Sequence, residues 1–305
     1  MTNKVVKNNE ISSVGIIGCG WLGSALAYQL KKQGVAVLAT RSNSDNAEQL
    51  KSQGIEAEVL SLPAEQALVN THAIFKQQCL VIAITPQFRQ GRVDYADKVQ
   101  QLVESAKVSK RVEQIILLSS SAVYNGLSGQ VEEASILDMA ADKVALLNQA
   151  EQAVLDFNSY AQEVSNLPDD LNNSVRNNKA YVLRLAGLVG PKRHPGKFLK
   201  NGRLLKSPQA IVNLIHQQDA VGLIEALLQS ELCGGIFNGV SSTQVTKKQY
   251  YQAAASALQL PTPIFEEDEL SPENDPKIVS GKKTQAMLTY SFVYDDLLTW
   301  LEQAD

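Results

Sequence analysis

The chain is poor in the residues that build disulfide and metal sites. Its three cysteines, Cys19, Cys79 and Cys233, lie far apart and form neither a CxxC pair nor a zinc spacing. They read as small apolar fillers in a reducing compartment. The three histidines, His72, His194 and His216, give no HxH or HExxH arrangement, so no metal site is expected. Long hydrophobic runs are missing too. None reaches the roughly 20 residues that cross a bilayer, and the polar start MTNKVVKNNEISS has no signal-peptide apolar core. A soluble cytoplasmic protein with no membrane contact is expected. The net charge of −4 shows no excess of positive charge, and aromatic residues are not interleaved with basic ones, so no nucleic-acid partner is expected. One absence is local. From Leu171 to Gln218 there is no Asp or Glu, while Arg176, Lys179, Arg184, Lys192, Arg193, Lys197, Lys200, Arg203 and Lys206 fall in the same window.

What is present argues for a large folded core. Hydrophobic residues make up 44% of 305, which excludes disorder of the whole chain. The length suits one large domain or two intimate ones of roughly 100–200 residues each. Apolar runs of strand length alternate with helical patterns: VGIIG (14–18), VAVLAT (35–40), AEVLSL (57–62), CLVIAIT (79–85), QIILLSS (114–120) and YVLRLAGLVG (181–190). Continuous rather than alternating apolar runs are expected of parallel strands buried on both faces. Helices are expected after the first strand, over about 94–107 and over about 139–157.

The fold class is α/β: a doubly wound, mostly parallel Rossmann sheet with a smaller C-terminal α/β substrate-binding region. Residues 1–12 form a polar tail and 13–190 the dinucleotide-binding domain. The Asn-rich stretch 158–180 reads as a surface loop. Residues 191–305 form the smaller, substrate-binding region, from which 211–240 return to the Rossmann core. Thr246 with Gln249 fits a capping box, and Asp219 reads as the cap of a helix at about 220–229.

GCGWLG supplies Gly18, Gly20 and Gly23 in a GxGxxG pattern after a strand and before a helix. Gly18 would allow the tight turn, Gly20 the approach of a pyrophosphate, and Gly23 close packing of helix on strand. The helix N-terminus would offer free N–H groups and partial positive charge to the phosphates. Trp21 and Leu22 are expected to wedge between loop and sheet. An NAD site usually has an acid at the end of the second strand; here Thr40, Arg41 and Ser42 stand there. Cation and hydroxyls suit a 2′-phosphate, so NADP is the preferred cofactor and NAD the alternative.

The marks GCGWLG, SSSAVYNG, RLAGLVGP, LIHQQDAV and GIFNGVSS, in this order across nearly the whole chain, resemble the NAD-dependent epimerase/dehydratase family of the extended short-chain dehydrogenase/reductases. The resemblance implies a cofactor-binding set of Gly18, Cys19, Gly20, Trp21, Leu22, Gly23, Arg41, Ser42, Thr85, Pro86, Gly187 and Leu188. It makes Ser120 the serine that hydrogen-bonds the substrate oxygen beside the nicotinamide, although a serine at a strand end also caps backbone. Tyr124 would stand at the site wall. The family's Tyr-x-x-x-Lys pair is missing: through the family glutamate at Glu151, Lys143 takes the tyrosine position and Leu147 the lysine position. This implies an atypical branch, in which Lys143 would act as proton donor if buried. Arg193, His194 and Lys197 would clamp an anionic substrate, with His216 facing the cleft or serving structurally. Arg184 reads as a buried structural pair. Family members often dimerise through the helices after the fourth and fifth strands, so a homodimer is expected. Two functions follow: an NAD(P)-dependent oxidoreductase or epimerase-like enzyme on an anionic small molecule, or a non-catalytic NAD(P)-binding redox sensor.

Overall fold

The structure, a computed structural model, describes residues 11–165, 178–199, 204–266 and 275–303. The chain runs through β1 (Ser13–Ile17), α1 (Trp21–Lys32), β2 (Ala36–Arg41), α2 (Ser44–Ser52), β3 (Glu56–Val59), α3 (Gln66–Thr71), β4 (Cys79–Ile82) and α4 (Tyr95–Ser109). It continues with β5 (Gln114–Ser120), a 3₁₀ turn at Ser121–Tyr124, β6 (Gln130–Val131), α5 (Asp142–Ser165), β7 (Lys179–Leu185) and β8 (Gly187–Val189). After a second 3₁₀ turn, Pro195–Phe198, come β9 (Leu214–His216), α6 (Gln217–Leu228), β10 (Gly234–Gly239), α7 (Lys247–Ala257), β11 (Ile278–Val279), α8 (Lys282–Leu288) and α9 (Leu297–Gln303).

Among the described residues the main sheet has seven parallel strands in the order β10-β7-β5-β4-β1-β2-β3. The reason is legible in the central strands. Cys79 to Ile82 and Ile115 to Leu117 are buried throughout, as strands covered by helices on both faces must be. The chain leaves β1 in one direction to β2 and later in the other to β4. This reversal opens a crevice beyond the carboxyl ends of the strands, where ligands of open α/β sheets bind. A second, smaller core gathers Val189, Val212, Tyr250, Ala254, Leu297, Trp300 and Leu301. No helix among the described residues is long and apolar enough to cross a membrane.

Several expectations are corrected. The run 181–190 is not one strand. Gly187 breaks it, because a Cβ there would lie 2.7 Å from Leu214 Cδ2, and β8 leaves the sheet to pair with β9. The region 158–165 is not loop but the last turns of α5. It has no Pro or Gly before Pro168, and the Asn158 side chain donates to the Cys233 carbonyl at 2.6 Å. The rest of that expected loop, 166–177, lies outside the described residues. Residues 211–240 do return to the main core, through Ile215, through Ala220, Leu223, Ile224 and Leu227 of α6, and through β10, while β9 itself pairs with β8. Asp219 is not the cap of α6. His216 occupies that place, and Asp219, fully buried in the first turn, accepts from Tyr290 Oη and from the amides of Val293 and Tyr294. Thr246 and Gln249 do form the capping box of α7.

The crevice wall is fixed by one buried ion pair. Arg184 on β7 donates through Nη2 to Glu151 Oε2 on α5 at 2.6 Å, with both side chains essentially solvent-free. Ser119 Oγ donates to Glu151 Oε1 at 2.5 Å. Arg184 Nη1 also donates to Tyr124 Oη at 2.8 Å, and that hydroxyl donates to Asn238 Oδ1 at 2.8 Å. Asn238 in turn takes Glu133 Oε1 on its backbone N–H. Three adjacent strands, β5, β7 and β10, are thus cross-linked to α5 and to the turn after β5. Removing one member leaves a buried charge without its partner, which costs roughly 3–5 kcal/mol. Glu151→Ala is therefore expected to lower the free energy of unfolding by that amount in urea denaturation, and a Glu151→Leu/Arg184→Met double variant to lose less. A loss under about 1 kcal/mol for Glu151→Ala would contradict this role.

Candidate functional site

The glycine loop sits at the crevice with its phosphate-binding side open. Gly18 has φ of +82°, a left-handed conformation that glycine adopts without strain, and an added Cβ would meet the Ile84 backbone nitrogen at 2.9 Å. Gly23 packs α1 against β1, since a Cβ there would come within 3.1 Å of Ile16 Cγ2. At Gly20 an added Cβ would make ordinary van der Waals contact with Arg41 Nη1 at 3.6 Å and the Gly18 carbonyl at 3.8 Å. Gly20 is also the N-cap of α1, with no side-chain cap and no acid in the first turn. The positive end of the helix dipole and its free amides are left to face the crevice.

The loop is pinned to the end of β2. The Cys19 N–H donates to the Thr40 carbonyl at 2.9 Å and the Gly18 N–H to Thr40 Oγ1 at 3.3 Å. Arg41 Nη1 donates to the Cys19 carbonyl at 2.6 Å. One corner of the guanidinium is thereby fixed beside the glycine turn, with donors to spare. Ser42 is exposed next to it. Cys19 and Leu22 are buried, so they offer the cradle backbone rather than side chain. Past β4, Thr85 is exposed and Pro86 half-buried.

Trp21 does more than wedge. Its ring is partly buried against the main core, and its Nε1 donates to the Pro191 carbonyl at 3.0 Å. The Arg193 guanidinium lies over the indole at 4.3 Å from the ring centre. Gln217 Nε2 donates to the Trp21 carbonyl at 3.0 Å. The loop after β8 is strapped to the glycine loop by these contacts. Gly187 and Leu188 lie in β8 on the same side, the Gly187 N–H donating to the Asn213 carbonyl at 3.0 Å.

At the end of β5, Ser120 is half-buried and its Oγ accepts the Ala122 N–H at 3.1 Å, capping the following turn. Its hydroxyl proton remains available for a second partner. Tyr124 is a packed side chain of the wall, fully buried in the Arg184 network, and burial pushes its phenol up, so it is not poised to exchange protons. Two expected site residues are placed elsewhere. Lys143 is exposed at the start of α5, so the burial on which its role as proton donor depended is absent. His194 is not part of a clamp. It is buried and its Nδ1 accepts the Gly196 N–H at 3.1 Å as a cap, with burial and then Lys197 lowering its pKa. Lys197 itself is exposed.

His216 resolves to the structural option. Its Nδ1 accepts the Gln218 N–H at 3.2 Å, and its ring packs on Tyr294 and Trp300 at 4.0 and 5.1 Å between centres. A bond accepted at Nδ1 requires the neutral ring, and burial lowers its pKa to about 4.

One residue at the site escaped sequence reasoning. Lys277, just before β11, is half-buried and its Nζ donates to Asn125 Oδ1 at 3.0 Å, one residue past the turn that Ser120 caps. Its carbonyl accepts from Asn213 Nδ2 at 3.0 Å. No local motif marks it, because Asn125 is 152 positions away.

Comparison with known proteins follows from this geometry. A family model described as NADP oxidoreductase coenzyme F420-dependent matches residues 13–103. The chain is 31% identical over 292 residues to Protein YeeZ of Escherichia coli strain K12, covering 94% of this chain and 98% of that protein. A UDP-glucose 4-epimerase from Thermotoga maritima has a TM-score of 0.74 at 14% identity, with 96% of this chain and 97% of that one covered. The human epimerase family protein SDR39U1, solved with NADPH, has a TM-score of 0.70 at 17% identity, covering 96% and 98%. The fold is that of the NAD-dependent epimerases and short-chain dehydrogenase/reductases.

The buried histidine makes stability depend on pH. Between the ordinary histidine value of 6.5 and about 4, the unfolded chain takes up a proton that folded His216 refuses. Stability therefore falls as pH drops through that window. Relative to wild type, His216→Asn, which keeps a capping side chain, is expected to lose about 2–3 kcal/mol less between pH 7 and pH 4.5 in urea denaturation. Parallel pH profiles would contradict the assignment.

Proposed function

This chain belongs to the family of Protein YeeZ of Escherichia coli, and we propose that it is an NADP-dependent oxidoreductase or epimerase-like enzyme acting on an anionic small molecule. The observation that carries the cofactor choice is Arg41. It stands where a ribose-binding acid would otherwise be, and its hydrogen bond to Cys19 holds it beside the turn. The remaining guanidinium donors would grip a 2′-phosphate, a contact that NAD lacks. The uncapped amides of Trp21, Leu22 and Gly23 at the start of α1 would hold the pyrophosphate.

When bound, the nicotinamide supplies the means to accept or deliver hydride. The chain's own contribution is positioning. Ser120 presents a hydroxyl proton toward a substrate oxygen, its rotor steadied by the bond from the Ala122 amide. The Arg193 stack on Trp21 closes the side of the crevice next to the pyrophosphate. Tyr124 and Arg184 hold the wall that carries Ser120 and do not exchange protons with substrate.

Calorimetry with NADPH and NADH tests the reading. NADPH is expected to bind at least about tenfold more tightly than NADH, and Arg41→Ala to remove that difference while leaving NADH unchanged. Ser120→Ala is expected to slow NADPH oxidation by a carbonyl substrate by about 10²-fold without weakening NADPH binding. Equal affinities that Arg41→Ala does not alter would overturn the cofactor assignment. Tight binding with no turnover on any carbonyl compound would favour a redox sensor.

A further inference from the structure

The absence of the family's Tyr-x-x-x-Lys pair from α5 leaves the reactive end of the crevice without the lysine that the family places there. In the basic loop Arg193 is stacked on Trp21, His194 is a buried cap, and Lys192 and Lys197 are exposed. One cation does reach this end of the crevice from the other half of the chain. Lys277 is half-buried between two elements that frame the nicotinamide end in the reading above. Through Nζ it touches Asn125, the residue that closes the turn begun by Ser120. Through its carbonyl it touches Asn213, whose own carbonyl takes the Gly187 N–H. A 3₁₀ turn rises roughly 2 Å per residue, so the turn from Ser120 to Asn125 spans on the order of 10 Å.

The surroundings of this ammonium are unusual. Among the described residues it lies within ion-pair distance of no carboxylate, and its one hydrogen-bond partner is a neutral amide. Asp275, two residues earlier, is exposed and makes no ion pair with it. An ammonium has three donors, and two remain here without a described partner. Burying a cation with no counter-charge is costly, and burial lowers the pKa of Lys277. An arriving oxyanion would supply the missing charge and fill the spare donors.

We propose that Lys277 is the specificity-determining residue of the crevice, binding an oxyanion group of the substrate, a phosphate or a carboxylate, across from Ser120. The proposal rests on the crevice being the substrate site. It moves the anion contact away from the Arg193–Lys197 loop, where the sequence alone suggested it. It also gives the lysine a binding role, so no proton transfer is assigned to it.

The test uses the full chain with and without NADP⁺. Inorganic phosphate and acetate serve as separate probes, monitored by calorimetry and by NMR of ¹³C-labelled lysine. Saturable binding of at least one probe is expected, with a shift of the Lys277 Cε signal and a rise in its titration midpoint. Phosphate alone, or acetate alone, identifies which oxyanion the site takes. Lys277→Gln should weaken binding by about tenfold or more, and Lys277→Arg should retain most of it, while both bind NADPH as wild type does. Equal binding to wild type and Lys277→Gln, or no response of the Lys277 signal to either probe, would overturn the proposal. Probe binding through Lys277 in a chain that binds no nicotinamide nucleotide would support it while overturning the cofactor reading.

Discussion

The carboxyl ends of β5, β7 and β10 depend on a single buried ion pair, Glu151 with Arg184. An ion pair out of water is weak evidence for stability in itself, since desolvation offsets most of the attraction. Its value here is geometric. Glu151 takes Ser119 as well as Arg184, and Arg184 takes Tyr124, which takes Asn238. Each group has its donors and acceptors matched, so the network tolerates one arrangement only. That arrangement sets the end of β5, from which Ser120 projects, and fixes the start of the turn that leads to Asn125.

The chain carries no tyrosine at the family's position on α5; the helix's one tyrosine, Tyr160, falls in its last turns. Leu147, in the place of the family's lysine, is fully buried and belongs to the core. Lys143, in the place of the tyrosine, is exposed. The face of α5 that elsewhere would serve proton transfer serves packing here. Tyr124 cannot substitute, because its hydroxyl already has Arg184 and Asn238 as partners. In the proposed function, the chemistry of the crevice falls to Ser120, a bound nicotinamide and the cation proposed opposite.

Much of the fold could be read from local order, and much of the site could not. Strands such as 79–82 and 114–120 are continuous apolar runs, and a buried parallel strand has no other way to be written. The glycine turn was legible because two of its glycines answer separate local demands: a left-handed φ at Gly18 and a close Ile16 at Gly23. His194 was misread, and His216 left open, because a cap is decided by one backbone amide two residues on, as at Gly196 and Gln218, and imidazole is not among the usual capping groups. Asp219 was misread in the opposite sense. Its carboxylate is spent on Tyr290, Val293 and Tyr294, more than seventy positions away. Lys277 was invisible for the same reason, as only the tertiary fold brings it to Asn125.

The central claim is that a dinucleotide lies across the glycine turn, with its pyrophosphate on the first amides of α1 and its 2′-phosphate on Arg41. Amide hydrogen exchange with and without NADPH tests this most directly. Slowed exchange confined mainly to residues 18–23 and 41–42, with Trp21, Leu22 and Gly23 the most protected, is the predicted result. Unchanged exchange at those amides under saturating NADPH, or protection appearing only elsewhere on the molecule, would contradict it.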